Sequence, residues 1–133
     1  LLYQTLRALL NPHIPNRLVR CVYELKAVTV NGEGPQVFSC ISCGKQEGSF
    51  WFSVRRGGIL CEDCRQTEKE GILLLPSTAY TLQYIVSSPV EKLYTFVVKD
   101  EVMEQLVRIT GEYLARYVDK RFKSLEILET IIE

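Results

Sequence analysis

The apolar residues of this chain recur mostly at the spacing of α-helices. Between Pro15 and Val30 an apolar residue falls at every third or fourth position, which predicts an amphipathic helix ended by Asn31-Gly32. Its apolar stripe consists of Leu18, Cys21, Leu25 and Val28. The same spacing predicts that the longest helix begins with Asp100 as its N-cap. Neither stripe can be buried alone, so we expect the helices before and after residues 37–71 to pack on each other.

Shorter helices are predicted around these two. Leu1 to Leu10 carries leucines at helical spacing and is ended by Asn11-Pro12. A further helix is predicted to start with Ser77 as its N-cap and to end before Pro89. A final helix from Leu125 to Ile132 either follows a break or continues the longest helix directly.

Two features of the second half depart from this regular pattern. Ile72 to Pro76 is a short apolar stretch, which we expect to lie as a buried connector. Gly111 interrupts the longest helix at a cost of about 1 kcal/mol relative to alanine. We expect it to mark a place where another helix approaches closely.

Residues 49–69 show strand and turn signals instead of a helical stripe. Ser49 to Val54 is rich in aromatic residues and is predicted to be a strand. Arg55-Arg56-Gly57-Gly58 is predicted to be a turn, and Ile59-Leu60 the returning strand. A short polar helix is expected from Glu62 to about Lys69. The prediction is a β-hairpin followed by one short helix.

Four of the five cysteines form two Cys-x-x-Cys pairs around this hairpin. Cys40 and Cys43 are followed by Gly44, and Cys61 and Cys64 come after the returning strand. This spacing is typical of a four-thiolate zinc site. Four sulfurs complete a tetrahedron and leave no open position, so we expect one structural zinc ion and no catalytic metal. A cysteine knuckle, a hairpin and a second knuckle on a helix predict a treble-clef-like zinc module.

Other uses of these cysteines are weighed against zinc. Two disulfides would need an oxidising compartment, and no secretory leader is recognisable. A thioredoxin-like redox site would need one Cys-x-x-Cys beside a βαβ pattern, which this chain lacks. An oxidation-sensing zinc site and a structural one have the same spacing, so both stay open. Cys21 lies on a helical apolar stripe and is predicted to be a core residue.

The fold class predicted is mainly α, with a helical domain into which the zinc module is inserted. Residues 1–36 form the first part of the helical domain, 37–71 the zinc module and 72–133 the second part. The segment from Gly32 to Pro35 is the expected linker into the module. At 133 residues and 47% hydrophobic composition, the chain can bury one ordinary core with a small appended module.

Composition and motifs limit the function. The formal net charge is zero, so any nucleic-acid contact must come from local basic patches. No apolar run is long enough to cross a bilayer, and a cytoplasmic location without membrane contact is expected. The chain opens within a helical pattern, which suggests that its natural start lies upstream. We find no phosphate-binding loop or nucleophile motif, and His13 lies between prolines, so we expect no enzyme activity.

Two basic clusters are candidates for binding DNA or a partner protein. The first is Arg55 and Arg56, at the predicted hairpin tip beside Trp51 and Phe52. The second, at the end of the longest helix, consists of Arg116, Lys120, Arg121 and Lys123. Each cluster also has a structural explanation: the tip can be a solvated turn with buried aromatics, and cations suit a helix C-terminus.

The assembled motifs resemble the C-terminal domain of the RecO family of bacterial recombination mediators. The resemblance rests on Tyr23-Glu24-Leu25-Lys26, Gly32, Pro35, Val37, Cys40-x-x-Cys43-Gly44, Phe52-Ser53, Gly57-Gly58, Leu60-Cys61-x-x-Cys64, Lys123-Ser124 and Leu128. It spans nearly the whole chain. The cysteines alone would fit many zinc modules, but the combination is specific.

The resemblance implies a non-enzymatic DNA-repair protein of the bacterial cytoplasm, associated with the nucleoid. Such proteins bind single- and double-stranded DNA, anneal complementary strands and help to load recombinase. Their implied partners are RecR and the acidic, hydrophobic tail of single-stranded-DNA-binding protein, which docks on the helical domain. We expect the family's N-terminal OB-fold, which would supply a strand-binding groove, to lie outside these residues.

Two other classes of function remain to be compared with this one. The first is a zinc-module domain for protein interaction or regulation that is unrelated to recombination. The second is a redox or metal-dependent enzyme, which would show reversible thiol oxidation or lose turnover on chelation. Surface arginines that take no part in DNA binding would favour the interaction module.

Overall fold

The computed structural model describes residues 1–66 and 71–132, and the side chains of 120–132 lie outside the description. Helices dominate the described residues, and three short strands form one antiparallel sheet. The elements are α1 Leu2–Leu9, α2 Asn16–Val30, β1 Phe50–Ser53, β2 Gly58–Cys61, α3 Glu62–Arg65, β3 Ile72–Leu73, α4 Pro76–Ser87 and α5 Asp100–Ile132, with a 3₁₀ turn at Val90–Lys92. The mainly helical fold class is confirmed.

Helix α2 lies at the centre of the helical part and packs on α1, α4 and α5. The predicted stripe is buried, and Cys21 is 5% exposed, as expected of a core residue. Val22 is also fully buried, which widens the stripe. Residues before and after the sheet therefore bury each other's apolar faces, as the two helical patterns require.

The sheet has the strand order β2-β1-β3. In the hairpin Phe50 pairs with Cys61, and on the other side of β1 Phe52 pairs with Ile72. The expected connector at 72–76 is thus a strand at its start, and Leu73 is exposed. A short apolar run can be a buried connector or a strand. Its sequence does not indicate which other segment its backbone will pair with.

Both edges of the sheet are covered by other parts of the chain. The Gln105 amide acts as a strand partner for β3: its Nε2 donates to Leu73 O at 2.7 Å and its Oε1 accepts from Leu75 N–H at 3.0 Å. On the β2 edge, Ile59 N–H donates to Gln36 O at 3.0 Å. Covered edges do not offer unpaired backbone groups to another chain.

One hydrophobic core joins the sheet to the helices. Phe52 and Leu60 of the hairpin, Leu82 of α4 and Leu106 of α5 have no exposed surface and belong to the same buried cluster. The ring of Tyr113 in α5 meets Phe52 edge-on, with 6.1 Å between ring centroids. The hairpin is therefore oriented by apolar packing on α4 and α5 as well as by its own turn.

Several predicted helix ends are shifted. Ser77 is not an N-cap, because α4 already begins at Pro76, whose fixed φ suits the first turn of a helix. Asp100 is the first residue of α5 and not its cap. The helix continues without a break to Ile132, which decides between the two alternatives for the end of the chain. The predicted helix to about Lys69 is observed as α3, and residues 67–70 lie outside the described residues.

Helix α1 buries its small and polar face and exposes its leucines to solvent. Its buried residues are Thr5 and Ala8, whereas its large apolar side chains are exposed. Those exposed residues are Leu2, Tyr3, Leu6, Leu9 and Leu10. The Thr5 hydroxyl shares a hydrogen bond with the Tyr94 hydroxyl at 2.6 Å. A polar contact with a residue 89 positions away thus fixes the face of α1 that is buried.

The buried Lys26 holds the end of α4. Its ammonium donates to Val86 O at 3.1 Å and to Ser88 O at 2.8 Å. A cation at these terminal carbonyls interacts favourably with the helix dipole. Burial lowers the pKa of Lys26. None of the described helices is both long enough and apolar enough to cross a membrane.

The expectation that another helix approaches Gly111 is wrong, because a Cβ atom there would meet nothing within 4 Å. We therefore expect Gly111→Ala to raise the free energy of unfolding by about 0.5–1 kcal/mol, since alanine restricts the unfolded chain and favours the helix. Urea denaturation measures this change. In the contrasting variant Gly58→Ala, the added Cβ would lie 2.5 Å from Gln36 O, and stability should fall. If Gly111→Ala lowered the free energy of unfolding, the space around position 111 could not be open as the structure shows.

The cap made by Lys26 predicts a second change in stability. Lys26→Met keeps most of the apolar stem but leaves two α4 carbonyls without their donor, so the free energy of unfolding should fall by about 1–3 kcal/mol. Chemical denaturation measures the loss. The control is Arg20→Met on the exposed side of α2, which should change stability little. Equal stability of Lys26→Met and the native chain would contradict a capping role.

Candidate metal centre

The first cysteine pair lies on a tight backbone knuckle before β1. Cys40 N–H donates to Lys45 O at 2.9 Å, and Gly44 N–H donates to Cys40 O at 2.9 Å. Gly44 has φ +81°, a conformation that glycine adopts without steric cost. The loop therefore turns back on itself between Cys40 and Lys45 and presents both sulfurs of the pair from one short segment.

The second pair is positioned by the sheet and by α3. Cys61 is the last residue of β2, pairs with Phe50 and occupies the N-cap position of α3. Cys64 follows within that helix. Ile41 N–H donates to Ile59 O at 3.0 Å, which fixes the first knuckle beside β2. The four cysteines meet because a backbone bond ties the first knuckle to the strand that carries the second pair.

The geometry fits a four-thiolate metal site. The Sγ atoms of Cys40, Cys43, Cys61 and Cys64 all lie within 4.8 Å of one another, and the Cys43–Cys61 pair is 3.6 Å apart. Metal–sulfur bonds of about 2.3 Å in a tetrahedron require sulfurs about 3.8 Å apart. Cys40 and Cys61 are buried, while Cys43 is exposed. The cluster thus lies at the edge of the core, with one side toward solvent.

The protonation of these thiols is uneven. Burial raises the pKa of Cys40, but hydrogen bonds from the backbone of Cys61, Cys43 and Ser42 have the larger effect. Together they lower this pKa to about 6. Hydrogen bonding to Cys61 and to Cys40 raises the pKa of Cys64 to about 12. A metal ion adds positive charge that favours the thiolate form of every ligand.

The five cysteines divide into one cluster of four and one core residue. None of the five cysteines forms a disulfide, four of them converge, and Cys21 lies apart in α2. The order of knuckle, hairpin and cysteine-bearing helix is as expected, with β3 as an added strand. The treble-clef assignment, the division at residues 37 and 71 and the question of oxidation sensing stay predictions.

Residues of the two basic clusters meet at one cleft. Arg55 and Arg56 of the β1–β2 turn and Arg116 of α5 line a cleft of about 330 Å³. Arg116 Nη1 donates a hydrogen bond to Val54 O, and Arg56 Nη2 donates to Ser42 Oγ at 3.3 Å. Because α5 continues to Ile132, Arg116 lies inside a helix, and the attraction of cations to a helix C-terminus does not explain it.

Other candidate residues have structural positions or are not described. Phe52 is fully buried, as the structural explanation of the hairpin aromatics expected. Trp51 is half-buried, and the Arg65 guanidinium lies 5.2 Å from the centre of its ring. The side chains of Lys120, Arg121 and Lys123 lie outside the described residues.

Sequence reasoning missed one wall of the cleft. This wall is the segment Gly32–Gly34, which the sequence assigned to a linker, and the Tyr113 hydroxyl donates to Glu33 O. Local sequence gives no signal for this contact, because its two partners are 80 positions apart.

Comparison with known proteins gives one consistent result. The family described as "Recombination protein O C terminal" matches residues 1–126. "DNA repair protein RecO" of Acetivibrio thermocellus is 30% identical over 118 residues, which are 88% of this chain and 47% of that protein. The protein of the same name from Caldanaerobacter subterraneus subsp. tengcongensis is 33% identical over 102 residues, 77% of this chain and 41% of that protein.

A third relative covers almost the whole chain. "DNA repair protein RecO" of Alkaliphilus metalliredigens is 28% identical over 133 residues, 98% of this chain and 54% of that protein. The chain thus spans about half the length of the curated relatives it matches. No solved structure gives a significant match. Because the family match covers nearly all of its residues, this chain belongs to the RecO family, whose C-terminal part it matches.

Proposed function

We propose that this chain is a non-enzymatic DNA- and partner-binding part of a recombination mediator. The observation that carries the proposal is the family match over residues 1–126, together with relatives named for DNA repair. In this role the chain supports the binding and annealing of single- and double-stranded DNA and provides docking surfaces for RecR and for the tail of single-stranded-DNA-binding protein. The family match favours this role over a module unrelated to recombination.

The proposal includes one structural zinc ion held by Cys40, Cys43, Cys61 and Cys64. Four sulfurs within 4.8 Å of one another support it, because this is close enough for all four to bind one ion. Zinc accepts a complete set of thiolate ligands, and such a site holds structure and leaves no position for a reacting water. The ion would fix the first knuckle to the open end of the β1–β2 hairpin. The role is therefore scaffolding.

Two surfaces have chemistry that suits the proposed partners. The arginine-lined cleft beside the β1–β2 turn carries positive charge suited to phosphate groups. A separate groove lies between α4 and the segment before α5, where Tyr80 and Val97 are exposed beside Lys99. Apolar side chains next to a cation suit a peptide that is both acidic and apolar, as the tail of single-stranded-DNA-binding protein is expected to be.

Loss of one cysteine should show whether the metal is structural. Cys61→Ser should lower bound zinc from one ion per chain to nearly none and lower the melting temperature by roughly 10 °C or more, because metal binding and folding are coupled. Metal analysis and a thermal melt on the same sample measure both. The matched control is Cys21→Ser, which should keep the zinc. Full zinc content in Cys61→Ser would contradict the proposed site.

The functional proposal is tested by titrating the chain with a labelled oligonucleotide and, separately, with a peptide of the single-stranded-DNA-binding protein tail. We expect both to bind, and Tyr80→Ala with Lys99→Glu to weaken the peptide but not the oligonucleotide. Fluorescence anisotropy measures both affinities. If neither ligand binds a zinc-loaded chain that melts cooperatively, the proposed DNA and tail contacts are wrong for this part of the protein.

A further inference from the structure

The cleft beside the β1–β2 turn is built from three separate parts of the chain. The loop after α2 forms one wall, the turn from Val54 to Gly57 the second, and α5 the third. The residues that line it are Gly32, Glu33, Gly34, Val54, Arg55, Arg56, Gly57, Tyr113, Arg116 and Tyr117. Its volume of about 330 Å³ is that of a small-ligand site, so it can receive a short segment of a chain but not a duplex.

The three walls are fixed to one another. Tyr113 OH donates to the backbone oxygen of Glu33, which joins the loop to α5. Arg116 donates to the backbone oxygen of Val54, which joins the turn to α5. The ring of Tyr113 also packs edge-on against the buried Phe52. A ligand would therefore meet a shape that exists before binding, and ordering the walls would cost little.

The charge of the cleft differs from that of the chain as a whole. Three arginines and one glutamate line it, which gives a formal charge of +2, whereas the chain has none. A guanidinium has five N–H donors, and Arg116 uses one of them for Val54. Arg55 and Arg56 on the turn and Arg116 on α5 can thus donate to the anionic oxygens of a bound segment.

The lining also distinguishes between anionic ligands. Among the described residues that line the cleft, Val54 is the one with an aliphatic side chain, so an acidic peptide would find little surface on which to bury its apolar residues. Gly32 leaves room for a ligand backbone, because a Cβ atom there would meet nothing within 4 Å. The half-buried Tyr117 offers an aromatic ring of the kind on which nucleic-acid bases stack. Phosphodiester groups with flat bases fit this lining better than a peptide.

We propose that this cleft binds the backbone of single-stranded DNA, with Arg55, Arg56 and Arg116 on consecutive phosphates. The inference rests on the DNA-binding role proposed above and gives that role a place in the fold. The loop after α2 and the β1–β2 turn form the two sides of the strand path, and α5 forms its floor. The tail of single-stranded-DNA-binding protein belongs to the apolar groove at Tyr80 and Val97.

The test uses the zinc-loaded chain and a fluorescein-labelled oligothymidylate, with affinity measured by anisotropy between about 50 and 200 mM salt. The first variant is Arg55→Ala with Arg56→Ala, in the exposed turn, and the second is Arg116→Ala. For single strands, the slope of log affinity against log salt should become shallower by about 0.7 for each phosphate contact removed. Because Arg116 also donates to Val54 O and Arg56 also donates to Ser42 Oγ, a thermal melt accompanies both variants. The two variants remove different structural contacts, so a loss of DNA affinity shared by both is a property of the cleft.

Matched controls remove the same charge elsewhere. Arg17→Ala with Arg20→Ala lies on α2 at the end away from the cleft, and Arg108→Ala lies on α5. Their salt slopes should equal that of the native chain. Equal losses in controls and cleft variants would overturn the proposal, because the effect would then be one of overall charge.

The remaining outcomes separate this inference from the proposed function. If the native chain binds DNA and the cleft variants keep its affinity and slope, the cleft assignment is wrong while the DNA-binding role stands. If the cleft variants lose the tail peptide and keep the oligonucleotide, the cleft binds a carboxylate partner and the inference is overturned. If the native chain binds no oligonucleotide, both the cleft assignment and the DNA part of the proposed function fail.

Discussion

The buried contact between the hairpin and the helices is the constraint on which the rest of the structure depends. Phe52 has no exposed surface and shares one core with Leu82 and Leu106. A hairpin of four-residue strands is marginal alone, because it cannot bury enough apolar surface. Packing on α4 and α5 supplies that burial and also fixes the direction in which the hairpin points. The hairpin thus lies between helices in the sequence but shares one core with them in space.

This orientation places different chemistry at the two ends of the hairpin. At the open end, Cys61 joins the other three thiols. At the closed end, the turn meets α5 through the bond from Arg116 to Val54 O. Arg56 connects the two ends, since its guanidinium donates to Ser42 between the first two cysteines. The cysteine cluster and the basic cleft therefore lie at opposite ends of one short hairpin, and Arg56 links them.

Several local choices follow from distant polar contacts and not from apolar patterning. Lys26 is buried in α2 because the carbonyl end of α4 needs donors. Thr5 faces the interior because Tyr94 lies there, and the leucines of α1 consequently face outward. Gln105 of α5 completes the edge of β3. The buried polar groups of Lys26 and Thr5 thus have hydrogen-bond partners, as buried polar groups in folded proteins usually do. The half-buried Gln105 supplies partners to the backbone at the edge of the sheet.

The sequence by itself determined the elements whose signals are local. Helical spacing predicted α2 and α5, and the two Cys-x-x-Cys pairs predicted the cluster of four cysteines, because residues close together in the sequence set those structures. The tertiary structure alone decided that Ile72 and Leu73 form a strand, that the leucine face of α1 lies outside the core and that Arg116 joins Arg55 and Arg56. These features depend on backbone and side-chain partners tens of residues away. Neither spacing nor composition records which distant partner a segment will meet, so only the packed chain could decide them.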